Sequence, residues 1–243
     1  MGHEFELSQD IELPATPEQV WQAIATGPGM DSWFMGTNEI DPRPGGTSRM
    51  TVGGQADEAT VTAADPGKLL AYRSEPGEDG AFMAFEYLLE ARDGGGTTLR
   101  LVQSGVLAGD WETEYEAMTI GWPLYTHTLA EYLEHFAPRT ATPVSAFRPG
   151  FGAPDDLWSA LGVSADTRPG DRFTLPELAV EGIVDTVDTR AYLGVRTDDA
   201  LLRFIHSGVD RGSVVVLGHH LFDAAEGAEA AWQTWLSGLP QPA

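Results

Sequence analysis

The sequence predicts an α+β chain: a curved antiparallel sheet closed by one long C-terminal helix, then a second, shortened unit of similar type. Three observations predict this. The first stretch alternates with period two: Phe5, Leu7, Gln9, Ile11 and Leu13 on one side, Glu4, Glu6, Ser8, Asp10 and Glu12 on the other. Such a strand has one wet face and belongs to an antiparallel sheet. A series of strands follows, and after it one long stretch carries apolar residues at steps of three and four. The same order then returns in reduced form after a Pro-rich segment.

Pro14 ends the first strand. Thr16-Pro17-Glu18-Gln19 reads as a helix start, with Thr16 as N-cap, Pro17 at the first helical position and Gln19 closing a capping box. Val20, Trp21 and Ile24 form its apolar face. Gly27-Pro28-Gly29 is expected to break this helix, and Met30 to Met35 to form a second, short one. Strands are expected over Thr47–Val52, Ala59–Ala64, Leu69–Ser74, Ala81–Ala91 and Thr97–Gly105, with Asp93 to Gly96 as a hairpin connection. In the last two, Phe85, Tyr87 and Leu89 share one face, and Leu99, Leu101 and Gln103 another.

A long helix is expected over Glu112–Phe136. Met118, Trp122, Tyr125, Leu129, Tyr132, Leu133 and Phe136 fall within an arc of roughly 100°, one apolar stripe. Pro123 lies inside it and is expected to kink or open it. One helix cannot fill a strongly curved sheet, so an internal apolar cavity is expected between them.

Residues 5–137 resemble the START-like, helix-grip (SRPBCC) superfamily, which includes the birch-pollen allergen and the polyketide cyclases. The branch they are most similar to is named after activators of the heat-shock-protein ATPase. Ile11–Ala25 with Trp33 downstream, Gly96–Gly105, and Gly121-Trp122 followed by Leu129–Leu133 carry the resemblance. It implies a helix-grip fold and a cavity, not one activity, because ligand carriers, cyclases and co-chaperones share this architecture.

The domain reading is residues 1–137 as the helix-grip domain, 138–154 as a linker rich in Pro, Ala, Arg and Gly, and 155–243 as a reduced helix-grip-like α+β domain. Asp156–Leu161 echoes Glu18–Ile24. Strands are expected at Glu181–Thr186, Arg190–Arg196, Ala200–Ser207 and Ser213–Leu221, and a last amphipathic helix at Ala224–Ser237. With fewer strands, this unit is expected to hold a small or filled cavity.

Composition limits the function classes. The 243 residues are 42% hydrophobic, enough for a packed core. The net charge is −23, a sign that repels nucleic-acid phosphates and anionic membranes. Residues 1–137 carry −17 of it. Lys68 is the single lysine, so no cationic patch for a polyphosphate is evident. Cysteine is absent, which excludes disulfides and thiolate chemistry. No apolar run of about 18 residues occurs, and Met1-Gly2-His3-Glu4 has no leader-like apolar core, so a cytoplasmic protein without membrane insertion is expected.

No P-loop, GxGxxG, GxSxG or HExxH pattern is present, so no cofactor is expected. His127, Glu131 and His135 share one helix face at the spacing of metal ligands. That face lies opposite the apolar stripe, so it is read as solvated, not as a metal site. His219-His220 on one strand face opposite ways and cannot chelate together. Asp110, Glu112, Glu114 and Glu116 cluster where a helix dipole favours negative charge. The aromatic set is the stronger signal. Trp33, Phe34, Tyr72, Phe85, Tyr87, Gln103, Met118, Trp122 and Tyr125 are expected to converge as a ligand-binding wall, with the hydroxyls and the amide as orienting groups. Packing alone would also account for such a set.

Three functions compete. The favoured one is non-catalytic binding of a hydrophobic small molecule: a lipid, an aromatic or a polyketide-like compound. The resemblance adds a co-chaperone-like module that contacts a chaperone or other protein. A cyclase or dehydratase is the third, with Tyr72, Tyr87 or Glu86 moving protons. Alternation sends Glu86 outward, against that role.

Overall fold

The computed structural model describes residues 2–223 and 225–241, which divide into two compact units, 1–140 and 141–243. In the first, β1 (His3–Leu13) and α1 (Pro17–Ala25) are joined by the expected cap: the Gln19 N–H donates to Thr16 Oγ1 at 3.4 Å, and the Thr16 N–H to Gln19 Oε1 at 2.9 Å. The next turn departs from expectation. Gly27-Pro28-Gly29 is itself a short helix, α2 (Gly27–Met30), and residues 31–36 are turns and bends. Pro28 suits a first helical turn, and Thr26 Oγ1 accepts from the Gly29 N–H at 3.1 Å. Only glycine fits at 29, since a Cβ there would lie 2.0 Å from the Gln22 carbonyl oxygen.

Six further strands complete the sheet: β2 (Thr37–Ile40), β3 (Thr47–Val52), β4 (Gln55–Asp65), β5 (Leu69–Arg73), β6 (Phe82–Ala91) and β7 (Thr97–Leu107). All pairs are antiparallel, in the order β1-β7-β6-β5-β4-β3-β2. Strand β2 went unread because four residues with Asn38 as the one buried side chain show no apolar period. The β1–β7 register sets Leu7 opposite Gln103 and Leu13 opposite Thr97. Thr97 Oγ1 then donates to the Ala15 carbonyl at 2.7 Å, tying the sheet to the entry of α1. A register shift between Val61 and Ala63 interrupts the β4–β5 ladder, and such shifts bend a strand.

The long helix α3 (Trp111–His135) continues across Pro123. From Trp122 on it is packed: Trp122, Leu124, Leu129, Tyr132 and Leu133 are buried, along with Thr126 and Thr128. Each of these threonines donates its hydroxyl to a carbonyl four residues back, at 2.8 Å, so their burial leaves no polar orphan. The first half is held at the β1 edge, where Trp111 stacks on His3 at 3.6 Å and Tyr115 meets Phe5 edge-on.

The second unit begins earlier than expected. Much of the segment read as linker, 138–154, is strand β8 (Thr142–Arg148), followed by α4 (Pro154–Ala160). Alternation there is masked by Pro143 and by polar residues, yet Val144 and Ala146 are buried. Strands β9 (Arg172–Leu175), β10 (Val180–Asp188), β11 (Tyr192–Arg196), β12 (Ala200–His206) and β13 (Val215–Leu221) form a sheet ordered β8-β13-β12-β11-β10-β9. Helix α5 (Ala228–Gly238) closes the unit; the expected start at Ala224 lies outside the described residues. Gln233 both accepts from the Phe147 N–H and donates to its carbonyl, at 3.1 and 3.2 Å. Arg148 Nη1 donates to the carbonyls of Leu236 and Leu239 at 2.7 Å. Edge strand β8 thus holds the C-terminal half of α5. Both units are α+β, and the first has the helix-grip arrangement. No helix among the described residues is long and apolar enough to cross a membrane.

Candidate functional site

A hollow of about 690 Å³ lies in the first unit, between strands β2–β7 and the middle of α3. Period two brings its floor together. Tyr72 of β5, Met83 and Phe85 of β6 and Gln103 of β7 are contributed by paired strands, with Tyr72 opposite Phe85 and Phe85 opposite Gln103. Helical spacing builds the roof: Met118, Trp122 and Tyr125 follow at steps of four and three on one face of α3. Phe34, after α2, closes one end, 4.9 Å from the Tyr125 ring and 5.8 Å from that of Trp122.

Two of the expected wall residues lie elsewhere. Trp33 is buried, does not line the hollow, and donates its indole N–H to the Ala23 carbonyl at 2.9 Å. It anchors α1 to the turn after α2, with its ring 5.2 Å from that of Phe34. Tyr87 is one layer deeper: its hydroxyl lies 3.1 Å from that of Tyr72, and Tyr72 stands at the surface of the hollow. The other seven, Phe34, Tyr72, Phe85, Gln103, Met118, Trp122 and Tyr125, converge.

The sequence reading missed the sulfur. Met30, Met35, Met50 and Met83 line the hollow beside Met118. These five are all the methionines of the chain except Met1. The available signals were Met83 in phase with Phe85 and Tyr87 on β6, and the confinement of methionine, Met1 apart, to residues 30–118. Met is unbranched and polarizable, and fills irregular space without imposing one shape.

Few polar groups face the hollow. Gln103 is 4% exposed. Its Oε1 accepts from Trp122 Nε1 at 2.6 Å, while its Nε2 has only the thioethers of Met83 and Met118, at 3.2 and 3.0 Å. Sulfur is a weak acceptor, so the amide's donor capacity is largely unspent. The Tyr125 hydroxyl makes no hydrogen bond among the described residues, and burial drives its pKa far upward. Burial likewise pushes Tyr72 up to about 12, with its bond to Tyr87 opposing in part; Tyr87 moves well up for the same reason. All three phenols therefore stay protonated at neutral pH and act as hydrogen-bonding groups. Glu86 is exposed and does not line the hollow. Asp57, Glu58 and Glu75, all exposed, form part of the rim, and no Lys, Arg or His lines it among the described residues.

The remaining sequence candidates separate from this site. His127, Glu131 and His135 are less exposed than a fully solvated face requires. Their side chains are 33, 15 and 31% exposed, and Glu131 lies 3.8 and 3.6 Å from the two imidazoles. Stacking at i, i+4, i+8 makes each shade the next. No group of three or more His, Cys, Asp or Glu among the described residues is suited to hold a metal. His219 and His220 are both buried. His219 Nδ1 accepts from the Arg203 N–H at 3.0 Å, and its ring packs 4.2 Å from Trp232. Burial first, then the charges of His220 and Arg203, hold it well below the usual histidine range.

The family described as Activator of Hsp90 ATPase homolog 1-like protein matches residues 14–134, from the exit of β1 to the last turn of α3. The first unit belongs to that family. The activator-homolog match thus spans six of the seven strands of the first sheet and the whole wall of the hollow. Among solved structures, protein MLL2253 from Mesorhizobium loti is 23% identical, covering 54% of this chain and 98% of its own, with a TM-score of 0.49. The Aha1 dimer of Colwellia psychrerythraea is 21% identical over 54% of this chain and 96% of that one, with a TM-score of 0.45. DynU16, a putative protein of the dynemicin biosynthetic locus, is 19% identical over 96% of both chains, with a TM-score of 0.47. Comparison with curated proteins returns no match.

Proposed function

We propose that the first unit is a receptor for an apolar small molecule, held without chemical change in the hollow between sheet and α3. The observation that carries this is the hollow itself: about 690 Å³, walled by aromatic rings and five thioethers, with few polar groups pointing in. Its size is that of an ordinary small-molecule site, and its mix of apolar wall and sparse donors is the usual make-up of one. A close-packed core has few voids larger than a water molecule, so packing alone does not account for it. The buried phenols favour binding over acid–base work, since a catalytic group operates best near the working pH.

The test is thermal. The full chain is melted with and without members of a library of apolar compounds. A ligand at a hundred times its dissociation constant stabilises the folded state by about 2.7 kcal/mol. The expected result is a concentration-dependent rise in Tm for compounds that fit, abolished by Ala117→Trp, which fills the hollow from α3. A flat response across lipids, aromatics and polyketide-like compounds overturns the proposal.

A further inference from the structure

We infer that the hollow selects flat, uncharged aromatic molecules carrying a carbonyl oxygen, bonded by Gln103 and Tyr125, and rejects molecules headed by a carboxylate. The inference rests on the receptor reading above and narrows its ligand class.

Two donors lack proper acceptors. Gln103 Nε2 faces the hollow between two thioethers, and its carbonyl is already spent on Trp122, which fixes the amide's orientation. The Tyr125 O–H has no partner among the described residues. A protonated phenol and an amide N–H call for an acceptor, and a guest that supplies one satisfies groups that have none of good quality in the protein. The walls favour rings. Phe34, Phe85, Trp122 and Tyr125 form a connected cluster with centroid separations of 4.9–6.4 Å, and aromatic faces and thioethers both contact flat π-systems well.

Charge decides against acids. The lining holds no cation among the described residues, and Asp57, Glu58 and Glu75 stand at the rim. Arg49, on neighbouring β3, already faces Glu58 at 3.6 Å. A carboxylate entering here loses its water, gains no counter-charge, and passes three like charges.

A matched trio of probes tests this on the full chain: fluorene, 9-fluorenone and fluorene-9-carboxylate, followed by Trp fluorescence titration at neutral pH. The expected order is fluorenone at least tenfold tighter than fluorene, and the carboxylate at least tenfold weaker than fluorene. Tyr125→Phe and Gln103→Leu are each expected to shrink the fluorenone-to-fluorene affinity ratio several-fold. A cooperative thermal unfolding transition checks that each variant is folded. Equal affinities for fluorene and fluorenone, a carboxylate that binds as well as either, or a ratio untouched by both variants overturns the selectivity and leaves the receptor reading standing. If none of the three binds, the selectivity falls, and the library melt alone decides the receptor reading.

Discussion

The two units share a plan and differ in what lies under the closing helix. In the first, only the second half of the 25-residue α3 is packed, and its middle roofs a hollow. In the second, the 11-residue α5 lays Trp232 and Leu236 into a core that includes Phe173, Phe204, Val195 and Leu217. Phe204 is fully buried and touches the rings of Trp232, Trp235, Phe173 and His219. The comparison teaches that sheet and helix alone do not make a cavity. Beside Tyr72 and Phe85 the first sheet contributes Met50, Met83 and Gln103 to a hollow, whereas Phe173 and Phe204 of the second lie in a packed core; the first helix is long and meets the β1 edge, and the second is short and held by edge strand β8.

Breaking the filled unit should therefore cost far more than altering the hollow one. Phe204→Ala is expected to destabilise the second unit by about 3–5 kcal/mol, read as a shift of the urea midpoint of the full chain. Phe85→Ala, at the wall of the hollow, is expected to cost less than half as much, because its ring already borders empty space. Equal losses would erase the distinction.

A comparable loss is expected at the buried ion pair. Arg203 Nη1 lies 2.9 Å from Asp185 Oδ2, with both side chains 2% exposed or less. Asp185 occupies the bulge in β10, and Gly194 leaves it room: a Cβ there would lie 2.4 Å from Asp185 Oδ1 and 2.9 Å from Arg203 Nη1. Removing one partner of a buried pair costs about 3–5 kcal/mol. Arg203→Ala is expected in that range by urea unfolding, and Gly194→Ala is expected to be destabilising in the same direction by displacing both groups.

The pH response should sharpen the contrast. His219 is held well below 6.5 when folded, chiefly by burial, and His206 below 6.5 for the same leading reason. As pH falls below about 6.5, the unfolded chain takes up protons that the folded chain refuses, so stability is lost with acidification, by up to about 1.4 kcal/mol per pH unit for each group. Unfolding midpoints between pH 7 and 5 check this, and His219→Gln is expected to flatten the slope. The smallest effect belongs to the hollow: Ala117→Trp, on an exposed position of α3, is expected to shift stability by less than about 1 kcal/mol in the same urea assay, while abolishing ligand response.

Much of the plan was readable from periodicity. The alternation of β1, the capping box at Thr16 and the stripe on α3 are local patterns, and each element formed within a residue or two of its expected place. Short or polar-masked strands were not readable, as β2 and β8 show, because their stability comes from neighbours already in place. The site divided the same way. Phe85 and Trp122 were legible as in-phase aromatics, whereas Trp33 has the same composition signal and proved to be an anchor beneath α1.

What the sequence by itself determined is the order of elements and which face of each is apolar, since hydrogen-bonding geometry gives strands a period of 2 and helices one of 3.6 whatever surrounds them. Only the tertiary structure decided that five scattered methionines meet around one hollow, that Gln103 spends its carbonyl on Trp122, and that the Tyr125 hydroxyl has no hydrogen-bond partner among the described residues. Those are properties of distances between segments far apart in the chain, and no local period encodes them.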